Sequence, residues 1–223
     1  MKWEDLKVYK SLNKEELKIA KKEIENIISE QLLQFGFKKY GRKLIRKSED
    51  LFHIIHLDSR GSWMGNSNSL KTEIMIVSIY DVDIIVKNYE MPPKIYIQDI
   101  VPKIRNYYQI TQEYKLFAEF ISQNLINYVI PYLNQFTNSK SVLKNFSKLK
   151  LENPEIKNLV IYSELSNQID NYSTKFLEEK TKNLNDKDEL YSLKNFVEKR
   201  EWKKITELLE NNKNEIFKKL KIG

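Results

Sequence analysis

The chain has 223 residues, a formal net charge of +7 at pH 7 and no cysteine. The lack of cysteine excludes disulfides, thiolate nucleophiles and thiolate metal sites, and it fits a reducing compartment. Hydrophobic residues at 41% and aromatic residues at 12% can fill a core, which argues against a globally disordered chain.

The first predicted element is a helix over residues 13–35. Asn13 and Glu16 have the spacing of a capping box, in which two side chains bind free N–H groups of the first turn. Apolar residues then recur at helical spacing as far as Phe35. Gly36 follows, and glycine is the usual residue at a left-handed helix end.

The residues after this helix have a β pattern. Residues 40–47 and 51–59 are aromatic and aliphatic segments on either side of a Ser-Glu-Asp turn, which predicts an antiparallel hairpin. Residues 72–80 are largely apolar on both faces, as in a central strand. A fourth strand is predicted over residues 94–105, with Pro102 at an edge or a bulge.

The chain then becomes helical. Residues 113–135 repeat apolar side chains at i/i+4 spacing, and Pro131 should end or kink this helix near its C-terminus. A short amphipathic helix is predicted over residues 139–149, with Ser139 or Ser141 as its cap.

The last third of the chain predicts more helices. Pro154 suits the first turn of one helix, and two lysine- and glutamate-rich helices follow it. The predicted fold class is therefore α+β: an N-terminal helix packed on a small antiparallel sheet of about four strands, then an all-helical C-terminal half. The predicted domains are 1–150, an α+β domain, and 151–223, a helical extension.

A run of basic residues, which we call the basic run, lies at and just before the start of the predicted hairpin. Its cations are divided between the two faces of the strand, as in an edge strand whose lysines prevent aggregation. The same residues can also meet phosphates or an acidic protein surface. They are Lys38, Lys39, Arg42, Lys43, Arg46 and Lys47.

The chain has two histidines, and neither predicts catalysis. His53 and His56 are three residues apart, so in a regular strand they point to opposite faces and cannot share a metal. His56 and Asp58 do share a face, which is the orienting half of a catalytic triad. Because no nucleophile motif accompanies them, we interpret the two as a half-buried polar pair.

Residues 59–69 form a predicted loop rich in Gly, Ser and Asn. Trp63 and Met64 lie in its middle. An exposed Trp in an adaptable loop is a favoured interface anchor, while the alternative is that Trp63 folds back to cover the sheet.

The region from the end of the first helix to the loop resembles a bacterial family known only as a domain of unknown function. The matching residues are Leu32, Leu33, Gly36, Phe37, Lys38, Lys39, Gly41, Arg42, Arg46, Ser59 and Trp63. Residues 125–136 are similar to a later helix-Pro-aromatic element of that family, whose members often carry Gln at the position of Asp58. The resemblance covers about the first 150 residues. It implies no catalytic residues, and some relatives are encoded among immunity genes of toxin systems.

These features predict a cytoplasmic binding protein that is not an enzyme and has no cofactor, no metal and no membrane span. The N-terminus lacks the apolar segment of a signal peptide, and no window approaches the ~18 apolar residues of a membrane helix. The predicted partner is a protein with an acidic surface, a toxin being the kind that the resemblance implies. The predicted contact residues are Arg42, Lys43, Arg46, Arg60, Trp63, Met64 and Lys71.

The alternative function is nucleic-acid binding by the basic hairpin. Tyr40 and the group Arg105, Tyr107 and Tyr108 would then supply stacking. Arginine, which is preferred for bidentate phosphate and guanine contacts, is scarce in the chain. The sequence therefore favours the protein partner.

Overall fold

A computed structural model describes residues 3, 6, 10–58, 68–82, 94–105, 107–145, 148–149, 162 and 191–222. The chain divides into two compact units, each drawn from several segments. Unit 1 comprises Met1–Lys47, His53–Met75 and Lys94–Gln135, and unit 2 comprises Ser48–Phe52, Ile76–Pro93 and Phe136–Gly223. The fold is α+β, with an N-terminal helix before an antiparallel sheet.

Helix α1 spans Lys14–Leu33 and confirms the first prediction. Asn13 is its N-cap: the Asn13 side-chain oxygen accepts from the N–H groups of Glu15 and Glu16 at 3.0 Å. The Glu16 carboxylate accepts in return from the N–H of Asn13 at 2.8 Å, which completes the capping box. Gly36 follows the helix with a φ of 84°, the left-handed conformation expected there.

The sheet has six strands within the described residues, where about four were predicted. They are β1 (Lys38–Tyr40), β2 (Lys43–Ser48), β3 (Leu51–Asp58), β4 (Ser69–Ser78), β5 (Ile95–Tyr96) and β6 (Tyr107–Gln109). The order is β1-β2-β3-β4-β5, and β6 also pairs with β4. The predicted hairpin and the predicted central strand are confirmed as β2–β3 and β4.

Strand β1 was not predicted, and it makes the basic run part of two successive hairpins. Tyr40 pairs with Lys43, so a two-residue turn of Gly41 and Arg42 joins β1 to β2. Gly41 has a φ of 60°, and glycine at the first position of such a turn matches the twist of the two strands.

The fourth predicted strand, over residues 94–105, is wrong in most of its length. Only Ile95 and Tyr96 pair with β4, and the chain then turns into a short helix, α2 (Ile97–Ile100). The Asp99 carboxylate accepts from the N–H of Tyr96 at 2.9 Å. This local cap favours a helical turn over continued strand pairing.

The long helix predicted over residues 113–135 is confirmed. It consists of α3 (Tyr114–Asn124), a π-helical turn (Leu125–Val129) and α4 (Ile130–Leu133). Pro131 lies near the start of α4 and has no N–H to donate. The wider π turn just before it is a common way to absorb such an interruption.

The described helices of unit 2 are α5 (Ser139–Lys144), α6 (Tyr191–Glu198) and α7 (Trp202–Leu220). The cap of α5 is Asn138, not Ser139 or Ser141, because the Asn138 side chain accepts from the N–H of Ser141 at 2.8 Å. The helix predicted after Pro154 lies outside the described residues, and the domain boundary predicted at residue 150 stays a prediction. None of the helices in the described ranges is long and apolar enough to cross a membrane.

Candidate functional site

Arg60, Trp63 and Met64 lie outside the described residues. Arg42 is exposed in the turn between β1 and β2, and Lys43 is half-buried at the start of β2. Their assignment to a partner contact stays a prediction.

The side chain of Arg46, another predicted contact residue, forms hydrogen bonds within unit 1. Its guanidinium donates to Nδ1 of His53 at 2.8 Å and to the side-chain oxygen of Asn134 at 2.9 Å. It also lies 5.0 Å from the centre of the Phe37 ring. Burial lowers the pKa of Arg46 below its ordinary value. We interpret Arg46 as a residue that ties β2 to its surroundings, and His53 as its acceptor.

The other histidine pairs with a residue that sequence reasoning did not connect to it. Nδ1 of His56 lies 3.0 Å from the Glu73 carboxylate on the neighbouring strand β4, so the predicted pairing with Asp58 is wrong. Side chains on the same face of adjacent strands can lie closer together than residues i and i+2 of one strand. Asp58 instead interacts with Lys21, whose pKa is lowered by burial and partly restored by this charge.

Glu73 is the centre of a cluster of four polar residues, which we call the Glu73 cluster: His56, Lys71, Glu73 and Lys94. The Glu73 side chain is 1% exposed, with the Lys94 ammonium at 3.0 Å and the Lys71 ammonium at 3.2 Å from its oxygens. Burial alone would raise the pKa of Glu73, but the hydrogen bonds from His56, Lys94 and Lys71 outweigh it. They lower that pKa from 4.5 to about 2.

Lys71 also connects this cluster to two aromatic rings. Its ammonium lies 4.1 Å from the centre of the Tyr96 ring and 5.6 Å from that of Tyr107. Burial would lower the pKa of Lys71, yet the Glu73 carboxylate raises it above the ordinary value. Lys71 is therefore charged and engaged within unit 1, although it was predicted to steer a partner.

No group of three or more His, Asp or Glu side chains suited to a metal ion occurs in the described part of the chain. The Glu73 cluster contains one carboxylate and two ammonium groups, and ammonium groups repel a cation. Its chemistry is that of a buried ion-pair network.

A concave site lies elsewhere in unit 1, and we call it the aromatic groove. It has a volume of about 710 Å³. Aromatic, basic and amide side chains surround it. The lining residues are Trp3, Pro102, Lys103, Ile104, Arg105, Tyr107, Tyr108, Gln109, Thr111, Phe120, Asn124 and Tyr128.

The floor of the aromatic groove is a cluster of packed rings. The centre of the Tyr108 ring lies 6.4 Å from that of Trp3 and 5.9 Å from that of Phe120, both in edge-to-face geometry. The buried Phe117 ring supports them at 5.1 Å from Trp3 and 5.4 Å from Tyr108. Such contacts fix the orientation of rings, so the floor is formed before any ligand arrives.

Two tyrosines of the aromatic groove present open rings to solvent. Tyr107 is 51% exposed and Tyr128 is 44% exposed. The backbone holds each of them: Tyr107 pairs with Lys71 in the β4–β6 ladder, and Tyr128 lies in the π-helical turn. π turns inside helices are frequent at functional sites.

Two cations lie beside these rings. Lys103 and Arg105 are exposed, and neither forms an ion pair with a described residue. The turn that carries them is fixed, because the N–H of Arg105 donates to the Tyr108 hydroxyl at 2.9 Å. Lys103 has a φ of 62°, a left-handed conformation that costs a non-glycine residue about 1 kcal/mol. No acidic residue is among the described residues that line the aromatic groove.

Sequence reasoning found part of this site. Arg105, Tyr107 and Tyr108 were named for the alternative function, but they were assigned to the basic hairpin. Trp3 and Tyr128 were missed because they lie far from that segment in the sequence and only the fold brings them to it. The exposed rings beside unpaired cations are the features that the sequence did not reveal.

Comparison of the chain with models of known families, with curated proteins and with solved structures finds no match. The resemblance to an uncharacterised bacterial family therefore stays a prediction.

Proposed function

We propose that the protein is a non-enzymatic binding protein that takes single-stranded nucleic acid in its aromatic groove. One observation carries the proposal: the open rings of Tyr107 and Tyr128 stand beside Lys103 and Arg105 in one concave site without a lining acid among the described residues. Stacking rings together with backbone-tracking cations are the two components of single-strand recognition.

The aromatic rings of the groove would bind the bases by stacking. An unstacked base presents a π-face, and stacking on an aromatic side chain contributes about 1–3 kcal/mol per base. A duplex keeps its bases stacked inside, so a recessed aromatic floor favours single strands. The volume of about 710 Å³ falls within the range of pockets that take ring-containing ligands.

The cations of the aromatic groove would bind the phosphates of the strand. Lys103 and Arg105 are free to contact them, whereas Arg46 and Lys71 are already engaged. The net charge of +7 adds a long-range attraction that raises the rate of encounter with a polyanion. We therefore assign nucleic-acid binding to the aromatic groove, whereas the sequence had predicted it at the basic hairpin.

A binding titration with matched variants tests the proposal. Labelled single-stranded decamers are titrated at low salt against the wild type, Tyr107→Ala and Tyr40→Ala, the last removing a half-buried tyrosine of the basic hairpin. We expect Tyr107→Ala to weaken binding by about tenfold, as the loss of one stacked base requires, and Tyr40→Ala to bind like the wild type.

Two results would contradict the proposal. The first is a wild-type protein that binds no decamer at low salt. The second is the opposite ranking, in which Tyr40→Ala loses affinity and Tyr107→Ala does not, since that would return the contact to the basic hairpin.

A protein partner of acidic surface, such as a toxin neutralised by surface occlusion, stays a prediction. Its anchor, Trp63, lies outside the described residues, and the exposed Arg42 is the described residue that supports it best. Cytoplasmic action is likewise our expectation for either function, because the chain has no cysteine.

A further inference from the structure

We propose that Asn124 is a specificity-determining residue of the aromatic groove, and that its amide oxygen accepts a hydrogen bond from the exocyclic amino group of a base stacked on Tyr128. The inference rests on the proposed function, since it concerns the same site. It adds that the groove selects among bases. Adenine, cytosine and guanine carry an amino donor of this kind, whereas thymine and uracil do not.

Asn124 lies on the side of the helix that forms one wall of the groove. Phe120, Asn124 and Tyr128 follow one another at intervals of four residues, and all of them line the groove. Residues at this spacing are neighbours on one side of a helix. Phe120 and Asn124 are half-buried and Tyr128 is exposed, so the accessible part of the Asn124 side chain lies beside the open Tyr128 ring.

A hydrogen bond to the backbone fixes which atom of the Asn124 amide remains for a ligand. The side-chain N–H donates to the carbonyl of Phe120 at 2.8 Å. Because an amide oxygen cannot donate, the nitrogen must be the atom beside this carbonyl. The amide oxygen accepts no hydrogen bond from a described residue, and it is not among their fully buried unpaired atoms. A ligand in the groove can therefore reach it.

An acceptor in a fixed place selects for a donor. The exocyclic amino groups of adenine, cytosine and guanine are donors at the edge of the base. Thymine and uracil offer one N–H, which lies between two carbonyl oxygens, and these repel the amide oxygen because like partial charges face each other. A base without an amino group would also exclude water from the amide oxygen without replacing its hydrogen bond.

Gln109 provides a matched control within the same groove. It also lines the groove and carries an amide, but it is exposed and its side chain forms no hydrogen bond with any residue that the structure describes. An amide that is not anchored can turn either its N–H groups or its oxygen toward a base, so it fits every base and selects none. Removing the two amides should therefore change base preference in different ways.

The experiment is a double-mutant cycle between the protein and the base. Dissociation constants are measured at low salt for two pairs of labelled single-stranded decamers: deoxyadenosine with deoxynebularine, and deoxycytidine with deoxyuridine. Deoxynebularine is deoxyadenosine without its amino group, and deoxyuridine has a carbonyl oxygen where deoxycytidine has the amino group. The proteins are the wild type, Asn124→Leu and Gln109→Leu, and urea unfolding checks that each is folded.

We expect the wild type to bind the amino-bearing member of each pair about fivefold more tightly than the other member, as one additional hydrogen bond requires. Asn124→Leu should bind the deoxyadenosine and deoxycytidine decamers about fivefold more weakly than the wild type does, and it should show no preference within either pair. Gln109→Leu should keep the wild-type ratio in both pairs. If Asn124→Leu does not fold, Asn124→Ala replaces it.

The outcomes separate the two proposals. If the wild type binds both members of either pair equally well, this inference is overturned while the proposed function stands. The inference is also overturned if the Asn124 variant keeps the wild-type ratios, because another group then reads the amino group. If the wild type binds none of the decamers, the proposed function fails and the inference fails with it.

Discussion

Glu73 carries a full negative charge at a position where its side chain is 1% exposed. Such a charge is tolerated only when donors replace the lost water, and here His56, Lys71 and Lys94 supply them. The Glu73 cluster is therefore a buried polar network within unit 1. Through Lys71 it also supports Tyr107, one of the two open rings of the aromatic groove.

The Glu73 cluster predicts a pH dependence of stability. The pKa of Glu73 is about 2 in the folded protein, below the ordinary 4.5. The folded state therefore gains stability above about pH 4.5, and this gain is lost as pH falls from there toward 2. A shift of this size corresponds to about 3 kcal/mol.

The test is Glu73→Gln, which keeps the shape and removes the charge. The free energy of unfolding in urea should be lower than that of the wild type by about 3 kcal/mol at pH 7, and the difference should shrink as pH falls toward 2. Glu30→Gln, on an exposed position of α1, is the control and should change little. A difference between wild type and Glu73→Gln that stays constant from pH 7 to pH 2 would refute the assigned pKa.

At the scale of elements, the long periodic segments were predictable and the short ones were not. Helix α1 and strand β4 have enough residues for their apolar period to be counted. Strands β1 and β6 have three residues each, which is too few for a period to be counted, and β6 pairs with β4, which lies far from it in the chain. Because β6 carries Tyr107 and Tyr108, the aromatic groove could not be located from the sequence.

Polar pairs between different strands were also not predictable from the sequence. His56 was paired with Asp58 because the two share a face of one strand, whereas its partner is Glu73 on another strand. Sequence spacing fixes which side of a strand a residue faces, but it does not give the register of two strands. The capping box of Asn13 and Glu16 was predictable because all of its atoms belong to one turn.

Removing the capping box of α1 tests whether this local element stabilises the protein. Asn13→Ala removes the acceptor for the N–H groups of Glu15 and Glu16. We expect the free energy of unfolding to fall by about 1 kcal/mol, measured in urea at pH 7. Glu30→Ala lies in the last turn of the same helix, away from the cap, and should change stability by less than about 0.5 kcal/mol. Equal effects of the two substitutions would speak against a functioning cap.

At the scale of the whole molecule, the net charge of +7 is not spread over equivalent cations. Several lysines are paired with nearby carboxylates, as Lys39 is with Glu25 and Lys213 is with Glu210. Exposed pairs of this kind contribute little to stability, but they remove lysines from contact with a polyanion. Lys103 and Arg105 form no ion pair with a described residue, so they are the cations of the aromatic groove that remain for phosphates.

The salt dependence of binding is a sharp test of nucleic-acid binding in the aromatic groove. Each phosphate contact to a single strand lowers the logarithm of the association constant by about 0.7 per decade of salt. If Lys103 and Arg105 each contact one phosphate, affinity for a labelled single-stranded decamer should fall about sevenfold between about 50 and about 200 mM salt. Arg105→Ala should reduce the slope by about 0.7, and Arg42→Ala, at another exposed arginine, in the basic hairpin, should leave it unchanged. A slope that Arg42→Ala reduces and Arg105→Ala does not, or no binding at the lower salt concentration, would contradict binding in the aromatic groove.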